Sequence, residues 1–479
     1  MTKGTRVAVW FAALAVGLAA TFAAVAAIGQ TRPSPRGLKQ SWLRQADRTP
    51  IASDRVSTAR AVPEPGPRAR FVPGRVVVKF EPDVRVRDLR AATRAVDARS
   101  VRRVASADFH YVEIARDADP VAAARRLQAE PGVLYAEPDA IVHPLWRPND
   151  THFSLQWNLE RIGMEEAWEL NRGSSSRITV AVLDTGVAYV SEGAFAQAPD
   201  LAGTRFVPGF DFIWDDAVPA DTDGHGTHVT GTIAQTTNNG LGAAGMAFNV
   251  SIMPVKVLAS DWDEDNGAPN PPSMSVLALG IRYAADHGAK VINMSLGADA
   301  ESSTVESAIR YAIGRGVFIA VAAGNTGDDD NAPEWPGAYA KGIDGLMAVG
   351  AVDHDLARAP YSTRRDYVEI AAPGGDIDAD LNDDSYGDGI LQQTLDPDFQ
   401  EQAIFNRFAY MFYQGTSMAT AHVSALAALL MDQGITNPAA VEAAIKRFAS
   451  HKPAGGRNDD IGYGVIDPRA SLFGLGLAR

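Results

Sequence analysis

Cysteine is absent from all 479 residues of the chain. Disulfide scaffolds, thiolate nucleophiles and cysteine metal sites are therefore excluded, and stability must come from a large core or from bound ions. Long apolar runs are equally scarce. The one of membrane-spanning length covers residues 7–28, just after Lys3 and Arg6. It reads as a targeting segment: a signal peptide needs an apolar core of roughly 7–15 residues, a spanning helix about 20. Its length serves either, and Ala24-Val25-Ala26 offers a cleavage site. Either way the rest of the chain is exported. Basic residues are sparse in the larger C-terminal part. Residues 148–479 carry 20 Lys and Arg against 44 Asp and Glu, net −24, whereas residues 31–147 carry 22 against 14, net +8. The acidic body argues against nucleic acid as a partner. The opposite sign in front fits two segments that bind each other, and equally two separately solvated surfaces. No internal repeat is present.

At this length two or three domains are expected. Residues 1–29 are the targeting segment, a signal peptide or membrane anchor. Residues 30–69, rich in Pro, Arg, Ser and Ala without apolar periodicity, read as a disordered linker. Residues 70–147 alternate strands at 75–80, 109–114, 133–138 and 140–142 with helices at 85–98 and 120–130, a small α+β domain with helices on a sheet. In residues 148–479, unbroken apolar strands at 178–183, 251–258, 291–295, 317–322 and 346–350 are separated by helices at 275–287 and 303–313. That pattern is an α/β parallel sheet covered on both faces, a three-layer domain.

Ser417 follows Gly415-Thr416 and opens a small and apolar run over 418–431 closed by Gly434, a buried helix with a glycine stop. A serine at a helix start is ordinarily an N-cap. A nucleophile needs more: a base, an orienter for the base and donors for an oxyanion. Asp184, in Leu183-Asp184-Thr185-Gly186, ends an apolar strand, the edge of a parallel sheet where ligands bind; it could also be a plain turn residue. Asp-Thr-Gly marks aspartic proteases too, but their mechanism needs a second such loop, and the chain has none. His225, in Asp223-Gly224-His225-Gly226-Thr227-His228, suits a general base, its unperturbed pKa being about 6.5. His225 and His228 could instead share a metal, although no Glu lies between them as in a zinc helix. Asn325, in Ala322-Ala323-Gly324-Asn325, is either a turn former or an amide donor.

The order Asp184, His225, Asn325, Ser417 resembles that of the subtilase family, the subtilisin-like serine proteases. The likeness covers nearly all of 148–479, and residues 70–145 more loosely resemble the family's inhibitory propeptide. The family usually has Pro before the histidine that follows the serine; here Ala421 precedes His422. The resemblance implies acyl transfer: Ser417 attacks a peptide carbonyl, His225 shuttles the proton, Asp184 orients His225, and Asn325 with the Ser417 amide holds the oxyanion. It also implies that Ser295, Leu296 and Gly297 pair with substrate. Glu334 falls at the floor of the specificity pocket, which would favour a basic side chain there. Calcium is the implied cofactor, with Asp150, Asp200 and Asn239 as ligands. A second calcium loop is suggested by Asp380, Asn382 and Asp384 in the acidic insert over 376–388, which echoes an EF-hand start but lacks its Gly and its final Glu. The expected partners are peptide substrates and the chain's own propeptide, whose end, residues 141–147, would occupy the groove before cleavage between Pro144 and Asn149. The expected product is a monomer, secreted or held at the cell envelope. A catalytically silent peptide-binding protein on the same fold is the alternative.

Overall fold

The computed structural model describes residues 49–50, 71–82, 84–104, 107–115, 118–140, 146–173 and 178–474. The chain divides into two compact units, one over 54–147 and one comprising 1–53 with 148–479. Among the described residues no helix is long and apolar enough to cross a membrane; the expected targeting segment over 7–28 lies outside them, as do residues 141–145 at the expected end of the propeptide.

In the smaller unit, β1 (Phe71–Phe80), β2 (Ser100–Arg103), β3 (His110–Glu113) and β4 (Val133–Ala140) form an antiparallel sheet in the order β2-β3-β1-β4. Helices α1 (Val86–Ala95) and α2 (Pro120–Gln128) accompany it. Alternate residues of β1, Val76, Val78 and Phe80, point into a core with Val112 and Leu127. Asp119 caps α2 through the Val121 amide, with Pro120 in the first turn. The strand expected at 133–138 runs on to Ala140 as β4, and residues 141–142 of the next expected strand lie outside the described residues; β2 is an addition, its exposed Arg102 and Arg103 hiding any apolar alternation.

The larger unit is built on an eight-stranded, wholly parallel sheet. Its strands are β5 (Thr179–Asp184), β6 (Arg205–Phe206), β7 (Phe210–Asp211), β8 (Ser251–Lys256), β9 (Val291–Met294), β10 (Phe318–Ala322), β11 (Leu346–Val352) and β12 (Ile370–Pro373), in the order β12-β11-β10-β9-β5-β8-β6, with β7 also on β8. The connections include α3 (His225–Ala234), α4 (Met274–Asp286) and α5 (Ser303–Gly314). Leu183, Val255, Ile281, Ile292, Ile309 and Val321 share one core between the sheet and α4 and α5. From β5 the chain winds one way to β8, then returns past β5 to β9. The carboxyl end of β5 is therefore a switch point, where an open α/β sheet leaves a crevice.

On the other face lies α6 (Thr416–Asp432), followed by α7 (Pro438–Phe448). Every residue from Met418 to Met431 is buried, as a helix apolar on all sides requires. A hairpin of β13 (Ile390–Leu395) and β14 (Phe408–Tyr413) precedes it. The two-residue strand Thr49–Pro50 pairs with Phe412 and Met411 on the free edge of β14. At those two residues the stretch expected to lack structure is a strand, because an open edge offers unpaired backbone groups.

Candidate active site

Asp184 is the last residue of β5 and is fully buried. Its Oδ1 lies 2.7 Å from His225 Nδ1 and accepts the Thr185 amide at 2.8 Å. A carboxylate only accepts, so Nδ1 carries the proton and Nε2 is left as the base. Burial alone would push the His225 pKa down. The charge and hydrogen bond of Asp184, reinforced by Asp223 and Asp221, more than offset this, and the pKa is raised. The loop that delivers His225 is tied by the buried Asp221. Its Oδ1 accepts the Asp223 and Gly224 amides at 2.9 and 2.8 Å and the Thr185 hydroxyl at 3.0 Å, and its Oδ2 accepts the Thr227 amide at 2.9 Å. Behind Asp184, the fully buried Lys256 donates to the Thr185 carbonyl at 2.7 Å and pairs with the equally buried Asp263 at 2.8 Å.

Ser417 is not an N-cap. The cap of α6 is Gly415, without a side-chain hydrogen bond, and Ser417 sits inside the first turn. Between Met411 and Met431 it alone is partly exposed. Its hydroxyl donates to the Ser295 carbonyl at a long 3.4 Å, and no hydrogen bond joins it to His225 in this arrangement. Its own carbonyl accepts the Ser295 hydroxyl at 2.8 Å. Ser295 in turn accepts from the buried Asn293, whose Oδ1 takes the Ser424 hydroxyl at 2.8 Å, so α6 is fastened to the end of β9.

Asn325 follows β10. Its Oδ1 accepts both the amide and the hydroxyl of Thr416 at 2.9 Å. The first amides of a helix have no partner within it, so this contact turns the Asn325 oxygen toward α6 and leaves Nδ2 to donate elsewhere. A methyl group placed on Gly415 would lie 3.6 Å from Asn325 Nδ2 and 3.7 Å from the Ser417 amide nitrogen. The two nitrogens therefore flank one small space, which Gly415, at φ 148°, keeps clear. Gly415→Ala is expected to destabilise the unit by about 1–3 kcal/mol through backbone strain, read as a lowered melting temperature.

Ser295, Leu296 and Gly297 continue from β9. Ala298 exchanges two backbone hydrogen bonds with Trp335, at 2.8 and 2.9 Å, which holds the Glu334 segment alongside. His228, the second of the two histidines that could share a metal, is engaged elsewhere. The His228 ring stacks on Tyr413 at 4.2 Å, and its Nε2 faces the Ile390 and Met411 carbonyls at 2.9 and 3.1 Å. His422, beyond Ala421, is buried between the Met418 carbonyl and the Asn158 amide, each 2.8 Å away, and burial pushes its pKa down to about 4.

The expected calcium ligands fall in two places. Asp150 Oδ2 accepts the Asn238 amide at 2.7 Å, while its Oδ1 is buried with no hydrogen-bond partner. Asp200 Oδ2 takes Gln235 Nε2, the Ala243 amide and the Tyr410 hydroxyl at 2.8, 3.0 and 3.1 Å, and its Oδ1 takes Asn239 Nδ2 at 2.7 Å. In the acidic insert, Asp380 accepts the Asp384 and Ser385 amides, both at 3.1 Å, while Asn382 accepts the Asp384 amide and Asp384 the Tyr386 amide, both at 2.8 Å. These side chains turn on their own loop. Among the described residues no group of three or more His, Cys, Asp or Glu gathers as a metal site.

Asp, His and Ser in this chain order, at the carboxyl edge of a parallel sheet with helices on both faces, define the class of serine peptidases built on an α/β fold. The chain belongs to the subtilase family, whose model matches residues 175–464, and residues 57–139 match the fervidolysin N-terminal prodomain. It is 36% identical over 374 residues to a thermophilic serine proteinase of a Bacillus species (strain AK1), covering 77% of this chain and 80% of the relative. It is 35% identical over 305 residues to thermitase of Thermoactinomyces vulgaris, covering 64% and 92%. The crystal structure of fervidolysin from Fervidobacterium pennivorans superposes with a TM-score of 0.54 at 26% identity, over 84% of this chain and 61% of that one. The chain is thus a subtilisin-like serine protease with a prodomain ahead of its peptidase unit.

Sequence reasoning missed Asp221, Asn293, Thr416, Lys256 and Asp263. Asp221 had a signal, lying two residues before Asp223 in the histidine motif. The others act through partners distant in the chain.

Proposed function

We propose that the chain is an exported endopeptidase, made as a self-processing zymogen, that cleaves peptide bonds through an acyl-enzyme on Ser417. The observation that carries this reading is the buried 2.7 Å contact of His225 Nδ1 with Asp184, which leaves Nε2 as a base directed away from the carboxylate. For attack, the Ser417 hydroxyl must leave the Ser295 carbonyl and give its proton to His225 Nε2; Oγ then bonds to the peptide carbon. The resulting oxyanion takes hydrogen bonds from Asn325 Nδ2 and the Ser417 amide, at the positive end of α6. His225 protonates the leaving amine, and water repeats the sequence on the ester. Asp184 stabilises the imidazolium throughout. The unit over 54–147 is read as the intramolecular inhibitor, and its removal as maturation. A fluorophosphonate, which needs an activated serine, tests the reading: covalent labelling of Ser417 supports it, and no labelling of mature protein leaves the silent binding protein.

Calcium is proposed as a structural ion at the loop joining Asp150, Asp200 and Asn239. The buried, unpartnered oxygen of Asp150 favours it: a carboxylate there, whose pKa burial raises, gains from a hard cation. An ion that binds only the folded chain stabilises it by mass action. EDTA is therefore expected to lower the melting temperature in calcium-depleted buffer, and an unchanged melt would overturn this part. No ion is proposed at Asp380 and Asp384 of the acidic insert, whose carboxylates accept backbone amides of their own loop.

A further inference from the structure

Glu334 reaches two of the residues expected to handle substrate, Gly297 and Asn325. Its Oε1 accepts the backbone amide of Asn325 at 3.0 Å. Its Oε2 lies against Gly297, where an added Cβ would come within 2.2 Å of it, and a Cβ on Gly324 would lie 2.6 Å from Oε1. Both neighbouring backbones are thus bare where the carboxylate sits between them. The segment is fixed from behind: the Glu334 amide donates to the Tyr367 hydroxyl at 3.1 Å, which donates to the Ala323 carbonyl at 3.0 Å, and Trp335 is paired with Ala298. Oε2 has no hydrogen-bond partner among the described residues, and the side chain is only partly buried. The exposed Asp299 adds a second negative charge whose field reaches Glu334.

We propose that Glu334 is a positioning residue for Asn325 and that its two oxygens divide the work. Oε1 fixes the Asn325 backbone, and with it the reach of Nδ2 to the oxyanion. Oε2 accepts a cationic side chain of the substrate residue preceding the cleaved bond. A lysine or arginine there is held by the same carboxylate that holds the oxyanion donor, so substrate charge acts on turnover as well as on binding. This inference rests on the serine-peptidase reading above.

The test compares wild type, Glu334→Gln and Glu334→Met on two peptide series that differ only in Lys against Leu before the cleaved bond. Glutamine keeps an acceptor for the Asn325 amide but not the charge. It is expected to lower kcat/KM roughly 10- to 100-fold for the Lys series, and to lower kcat on the Leu series less than methionine does. Methionine keeps the volume but loses the acceptor, so kcat should also fall about tenfold on the Leu series, with KM little changed. Should the methionine variant not fold, Glu334→Asp carries the test. The shorter acid keeps the charge but draws the oxygen from Asn325, so it retains the Lys preference while kcat falls on both series. A wild type that prefers Leu overturns the role of Oε2. Equal kcat for the Gln and Met variants on the Leu series, or for Asp and wild type, overturns the role of Oε1. Fluorophosphonate labelling is run on every variant. If wild type does not label, the peptidase reading falls and this inference with it; if it labels while the kinetic pattern fails, only this inference falls.

Discussion

The Ser417→Ala chain is expected to accumulate at full length, fold normally and lose nearly all peptide hydrolysis. Expressed without other proteases, it should give a single mass with its prodomain attached, where wild type should give a shortened chain. Residual kcat, measured after the prodomain is removed by other means, should fall on the order of 10⁶-fold, the loss known for the nucleophile of a subtilisin and carried over from it. The structure makes this variant unusually informative. If Ser417 were a helix cap, alanine would cost about 1 kcal/mol. It is not: Gly415 is the cap, and the amide of Thr416 is met by Asn325. Ser417 lies inside the first turn with one long hydrogen bond to lose, and alanine is the better helix former. Its melting temperature should therefore stay near wild type while activity vanishes. His225→Ala should cost about as much, and the double variant little more, because the two side chains act as a unit. A shortened product from purified Ser417→Ala would overturn the assignment.

How far the sequence alone leads is clear from where each residue finds its partner. The central strands were readable because both faces are covered, so every position of β10 and β11 is apolar and buried. Asp184, His225, Asn325 and Ser417 were readable because each lies in a short motif at a strand or helix end. β13 was not, since Gln392, Gln393 and Thr394 interrupt its apolar pattern. Those side chains are buried and bonded to the Ala244 carbonyl, the Asp200 amide and the Gly224 carbonyl, all more than a hundred residues away. Glu334 is expected at the pocket from the resemblance of its segment to the family's, but its bond to the Asn325 amide depends on where two loops meet. The expected calcium ligands show the same limit. The family resemblance marked them, yet Tyr410 and Gln235, which no motif links to Asp200, supply it with donors.

Asp263→Ala is expected to destabilise the peptidase unit more than any other single change considered, by about 3–5 kcal/mol, as breaking a buried ion pair does. Asp263 Oδ2 meets Lys256 at 2.8 Å and accepts the Ser260 amide and the Thr222 hydroxyl at 2.8 and 2.7 Å, while Oδ1 accepts the Trp214 indole at 2.7 Å. Removing it strands an ammonium with no exposure to water. Denaturant midpoints measure the loss, and a shift below about 0.5 kcal/mol would refute the pairing. Replacing both partners, as Lys256→Met with Asp263→Leu, should recover much of the stability, since the stranded charge rather than the missing attraction carries the cost. Activity should not recover with it. Lys256 stands opposite Asp184 in the β5–β8 register and holds the Thr185 carbonyl, so the double variant should stay folded with a slower acylation step. Acid tests the same ion pair. Burial alone would raise the Asp263 pKa, but the charge of Lys256 and the hydrogen bonds reverse this and hold it below the ordinary value. A depressed folded pKa contributes stability that is complete above the unfolded value of about 3.9 and is lost as pH falls through the folded one. The gap between wild type and Asp263→Ala should therefore be flat above pH ~5 and close only in stronger acid. A gap that widened on acidification would mean that Asp263 is not ionised in the native protein.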